Sequence, residues 1–106
     1  MLPPITPYYV MRVGHVPLVP YHRPGDLRTA DAVVETIRRF ATRAPIRAVL
    51  MDRLGPCVWH QAPAAAMAVL EELEETARVW ITSACRPRPL DDEQIDELRR
   101  EFGARW

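Results

Sequence analysis

The side chains able to do chemistry in this chain are few and scattered. Candidate metal ligands are His15, His22 and His60, the cysteines Cys57 and Cys85, and a glutamate cluster at Glu71, Glu72, Glu74 and Glu75. His15 and His22 bracket a proline-rich segment with no third ligand nearby, so surface imidazoles are expected there rather than a metal pair. Cys57 and Cys85 lie far apart without CxxC spacing, which reads as two reduced core thiols. Helical spacing spreads the glutamates over more than one side and sets Glu74 four residues before Arg78, the pattern of a solvated helix face. Asp52 and Arg53 adjoin a turn, where they either form an exposed ion pair or line a small pocket. Every basic residue is arginine. Without lysine the chain cannot form a Schiff base or supply a P-loop lysine.

These residues are positioned by a central stretch, Ala48 to Trp59. An apolar run from Ile46 to Met51 reaches a polar corner at Asp52 and Arg53, Leu54-Gly55-Pro56 breaks it, and Cys57-Val58-Trp59 resumes. Two strands around a tight turn are the expectation. Pro3, Pro4, Pro7, Pro17 and Pro20 argue against any helix before Tyr21 and leave extended edge segments there. Arg23-Pro24-Gly25-Asp26 is a turn, and Asp26 or Thr29 can cap a helix that carries Ala30, Val33, Val34, Ile37, Phe40 and Ala41 on one face and ends before Pro45. Pro63 suits the first position of a long helix reaching about Cys85, with a stripe of Met67, Leu70, Leu73, Ala77, Trp80, Ile81 and Ala84. A last helix starts at Asp91 with Gln94 as a capping box and closes at Gly103.

At 106 residues the chain makes one domain, 1–106, with a modest core. Its 14 basic and 14 acidic residues cancel, so no nucleic-acid-binding role is expected. No run approaches the roughly 20 apolar residues that span a bilayer, and the first residues are not a secretory signal. A cytoplasmic location without membrane attachment follows as an expectation.

The segments ITPYYVMRVG (5–14), VPLVPYHRPGD (16–26), the central strands, LEELEETARVW (70–80) and DDEQIDELRREFGARW (91–106) come in a recognisable order. Together they resemble the carboxy-terminal half of class II aldolase/adducin-family proteins, most like the 3-oxo-tetronate 4-phosphate decarboxylase branch. The resemblance implies an α/β fold: a partial three-layer α/β/α class II aldolase-like arrangement, with a few-stranded sheet and three helices. It also implies that the family's first strands, its His-x-His ligand pair, its catalytic glutamate and most of its phosphate loop belong to a half not represented in these residues.

In that family a histidine before a Gly or Gly-Pro turn is the third ligand of a catalytic zinc. Leu54 stands there, and leucine has no lone pair for a metal. His60, six residues on, falls roughly 20 Å away along an extended strand and is expected to be a solvent-facing loop residue. Tyr21 matches the place where such aldolases can put a tyrosine that reaches a neighbouring subunit's site to protonate or orient substrate. The structural alternative is an amphipathic edge-strand tyrosine with a wet hydroxyl.

The function implied is that of a zinc-dependent carbon–carbon lyase, an aldolase or decarboxylase of phosphorylated sugar acids, in which metal polarisation stabilises an enediolate. Zinc belongs to the complete family; this chain is expected to bind none and to be inactive alone. The alternative is a non-catalytic truncated pseudoenzyme or assembly module. Expected partners are further copies in a homo-oligomer or a complementary amino-terminal half, with a phosphorylated sugar-acid substrate only if the site is completed.

Overall fold

The computed structural model describes residues 1–84 and 86–106. Cys85, and with it the thiol reading placed there, lies outside the described residues. Six regular elements follow one another: β1 (Leu18–Val19), α1 (Arg28–Ala41), β2 (Ala48–Met51), β3 (Gly55–Val58), α2 (Pro63–Thr82) and α3 (Asp92–Phe102). A five-residue π-helix, Tyr9–Val13, precedes them.

That π-helix corrects the expectation of purely extended chain before Tyr21. Between Pro7 and Pro17 there is no proline, and Thr6 supplies the start: its hydroxyl accepts from the Tyr9 N–H at 3.1 Å. The Gly14 N–H closes the far end on the Tyr9 carbonyl at 3.0 Å. Gly14 does so at φ +80°, a conformation that strains any residue with a Cβ. Thr6-Pro7 is a cap followed by a proline, a helix-start signal that the overall proline count had masked.

β1 pairs parallel with β2, and β2 pairs antiparallel with β3, in the order β1-β2-β3. The parallel pair needs a crossover, which α1 provides. The strand pair and its turn are as expected, with two differences of detail. β2 begins at Ala48 rather than Ile46, and the turn is made by residues 52–54, so that Gly55 and Pro56 already belong to β3. Proline is tolerated because of the ladder's phase. The Leu50 N–H points away from β3 and donates to the Pro17 carbonyl at 2.9 Å. Its partner Pro56 therefore occupies a pair that exchanges no hydrogen bonds, and no ladder bond is lost.

Alternation along β2 sends side chains to two separate cores. Ala48 joins Tyr9, Val13, Val16, Val69 and Leu73, with Leu2, Val58 and Trp106 around them. Val49 joins Val19 and Ile46, covered by Ala32, Val33, Ile37 and Phe40 of α1. The layers are thus α1, sheet, and π-helix with α2, the partial α/β/α arrangement expected. α3 packs on the π-helix, and its buried residues are Ile95 and Leu98.

The apolar stripe expected on α2 holds in part: Leu73 is buried and Leu70, Ala77 and Trp80 are half-buried. Val69 and Thr76 are also buried, whereas Met67 and Ile81 are exposed. The π-helix sets the covered face. α2 also stops at Thr82, so its 20 residues span about 30 Å.

Candidate functional site

The parallel register of β1 and β2 brings the carboxyl ends of both strands to one end of the sheet. The Asp52 N–H donates to the Val19 carbonyl at 3.0 Å, so Pro20 and Tyr21 leave β1 beside the 52–54 turn. In open α/β sheets ligands bind at the carboxyl ends of strands. In the turn, Arg53 takes φ +62° and the Leu54 N–H donates to the Met51 carbonyl at 3.0 Å. Tyr21 is 51% exposed and Leu54 57% exposed. Asp52 is half-buried and Arg53 exposed. The expected ion pair between these two is not formed: the ion pairs among the described residues are Arg28–Asp26, Arg78–Glu75 and Arg99–Asp96. The left-handed backbone at Arg53 belongs to the turn itself.

His22 is half-buried after Tyr21, and its charge contributes to the field at Asp26. The Arg28 hydrogen bonds hold the Asp26 carboxyl down to about 2, and the same carboxylate accepts the Arg28 N–H at 3.0 Å. The residue at the boundary of α1 is Leu27, with no side-chain cap, so the cap expected from Asp26 or Thr29 is not formed there; Asp26 instead ties Arg28 down just ahead of the helix.

The other candidate ligands lie apart from this end. His60 is exposed beyond β3, as expected of a loop histidine. His15 is not the surface imidazole expected. It stacks on Trp106 with centroids 4.0 Å apart, and burial, then Arg43 and Arg99, lower its pKa. Glu71, Glu74 and Glu75 are exposed, but the helix pairs Glu75 with Arg78 rather than Glu74, because the shorter i,i+3 reach lets the guanidinium meet both carboxylate oxygens. Glu72 turns inward and accepts from the Thr76 hydroxyl at 3.4 Å. Cys57 is exposed on the outer edge of β3, not a core thiol, because alternation with Pro56 and Val58 turns it away from α2.

The donor set does not fit zinc. No group of three or more His, Cys, Asp or Glu side chains converges among the described residues, and the turn position carries a hydrocarbon. Beside this end lies a groove of about 340 Å³ lined by Leu2, Val16, Leu18, Leu50, Pro56 and Trp80, with Glu74 on one wall. No sequence pattern marks this groove, since it forms where part of one sheet face is left uncovered. No helix of the described residues is long and apolar enough to cross a membrane.

The profile of the class II aldolase and adducin N-terminal domain matches residues 1–81. The chain belongs to this family. It is 50% identical over 111 aligned positions to the 3-oxo-tetronate 4-phosphate decarboxylase of Cupriavidus necator, covering 100% of this chain and 48% of that protein. It is 44% identical over 97 positions to the protein of the same name from Escherichia coli K12, covering 91% and 43%. Among solved structures, YgbL of Klebsiella pneumoniae superposes with a TM-score of 0.74 at 42% identity, over 92% of this chain and 45% of that one. YgbL of Escherichia coli gives 0.73 at 43% identity, over 91% and 44%. The chain thus spans about half the length of the relatives it matches, and its α/β layering is that of class II aldolase-like folds.

Proposed function

We propose that this chain is the carboxy-terminal part of a class II aldolase-family lyase of phosphorylated sugar-acid metabolism, without turnover of its own. The observation that carries this reading is the sheet end: Tyr21 and the 52–54 turn share it, and Leu54 holds the place where the family resemblance expects an imidazole. The reaction that fits is loss of CO2 from a 3-oxo acid phosphate, the substrate in the names of the relatives. The bond from the carboxylate carbon to C2 breaks, and its electron pair moves toward the C3 carbonyl to give an enediolate. CO2 leaves, and C2 regains a proton. Tyr21 is the group of this chain able to return that proton or hold the substrate oxygen. A metal electrophile for the enediolate needs donors that these residues do not bring together.

The test is CO2 release from 3-oxo-tetronate 4-phosphate by the chain alone, and by the chain co-purified with the half of the Cupriavidus relative that it does not match. The chain alone is expected to give no turnover above background. The complex carrying Leu54→His is expected to turn over, and Tyr21→Phe in that complex to lower kcat about 100-fold with a smaller effect on KM. Turnover by the unmodified chain alone contradicts the reading; full activity of the Tyr21→Phe complex removes Tyr21 from it.

A second reading, a non-catalytic assembly module, is favoured by Leu54 together with the apolar groove beside it. A stable complex that stays inactive with Leu54→His selects this second reading.

A further inference from the structure

The opposite end of the sheet, at the start of β2 and the end of β3, carries a basic hollow. Three depressions of the surface share one wall, Arg47. The largest of the three, about 320 Å³, is bounded by Arg47, Arg105, Trp59, His60 and Gln61. Arg12 borders its neighbour on the π-helix side. No aspartate or glutamate lines any of the three among the described residues. In a chain whose 14 basic and 14 acidic residues cancel, a basic cluster without carboxylates is a local arrangement, not a reflection of composition.

The walls are held before any ligand arrives. Arg47 Nη1 donates to the Arg12 carbonyl at 2.7 Å, and the Arg12 guanidinium lies over the Tyr8 ring at 5.4 Å. The Trp59 N–H donates to the Arg47 carbonyl at 3.0 Å, and its half-buried indole packs on the core of Val19, Ile46 and Val49. A half-buried indole beside two guanidinium groups, an imidazole and an amide suits a planar ring bearing a phosphate. Arginine takes phosphate in bidentate fashion, and aromatic faces stack on bases.

We propose that this hollow binds a phosphate monoester carried on a planar ring, of the nucleoside monophosphate class, with Arg47 and Arg105 on the phosphate and Trp59 beside the ring. The site is independent of the lyase reading. Arg47 and Asp52 are separated by the length of β2, roughly 16 Å, so a ligand here does not touch Tyr21 or the 52–54 turn.

The full chain is titrated with adenosine monophosphate, ribose 5-phosphate and inorganic phosphate, followed by calorimetry and tryptophan fluorescence. Saturable binding of adenosine monophosphate is expected, weakening as salt is raised and at least about fivefold tighter than ribose 5-phosphate, the difference being the ring stack. Arg105→Ala, at an exposed position, is expected to weaken it about tenfold through lost charge-assisted hydrogen bonds. Arg47→Ala should act in the same direction, with circular dichroism reporting whether loss of its bond to Arg12 disturbs the fold. Absence of saturable binding, unchanged affinity in Arg105→Ala, or equal affinity for adenosine monophosphate and ribose 5-phosphate each overturns the assignment.

Discussion

Tyr9 shows how one side chain can work against the core it fills. Its ring is fully buried with Val13, Ala48 and Leu73 and meets Trp106 edge-on at 5.8 Å, while its hydroxyl has no hydrogen-bond partner among the described residues. A buried hydroxyl left unpaired costs free energy, and burial pushes its pKa from 10.0 up to about 12. The unfolded phenol loses its proton first as pH rises. Stability that depends on Tyr9 staying neutral is therefore whole below pH 10 and is lost as pH climbs through about 12. Tyr9→Phe is expected to be neutral or stabilising by up to about 1 kcal/mol in urea melts at pH 7, and to flatten the decline measured above pH 10. A loss of several kcal/mol at pH 7 contradicts this, because it requires a partner for the hydroxyl. None of this was legible in the sequence. Two adjacent tyrosines in a proline-rich segment carry no sign of which one faces the core; the π-helix decides it, burying Tyr9 and leaving Tyr8 exposed. Leu54 is the opposite case: the expectation placed on it rests on a tripeptide and the family resemblance, not on any tertiary contact.

The elements divide the same way, by whether their cause is local. The α3 start was legible because every partner lies within four residues. Asp91 accepts from the Gln94 N–H at 2.9 Å, and the Gln94 side chain accepts from the Asp91 N–H at 3.0 Å. Gly103 ends the same helix in the left-handed conformation at φ +65°, donating to the Arg99 carbonyl at 3.1 Å. Asp91→Ala is expected to lower stability by about 1 kcal/mol in denaturant melts, whereas Asp92→Ala, one residue inside the helix and without the capping bond, should cost appreciably less. Equal losses would mean that the box does not hold the helix start. The covered face of α2 was legible only in part: Leu73 of the expected stripe is buried, but Met67 and Ile81 are exposed and the π-helix covers Val69 and Thr76 instead. Hydrophobic periodicity says that a helix has a buried side; only its neighbour says which side. At the outer edge of the sheet, Pro56 removes a donor that could otherwise recruit another strand.

The whole molecule is looser than its length requires. Its radius of gyration is 14.3 Å, against about 13 Å for a compact domain of this size. Leu18, Leu50, Leu54, Met67, Ile81 and Phe102 are all exposed, and the apolar groove opens between the sheet and α2. Which residues form this surface follows only from the packing. On the proposed reading, the open apolar face, Tyr21 at the strand ends and Leu54 in the turn belong to a chain that carries part of a lyase site without its metal. The measurement that tests this most directly is the zinc content of the purified chain, by mass spectrometry, after dialysis against zinc and then against metal-free buffer. The account predicts well under one zinc per chain, since about three converging donors are needed to hold the ion. One tightly held zinc per chain contradicts it and turns attention to His15, His22, His60 and the cysteines as the ligand set.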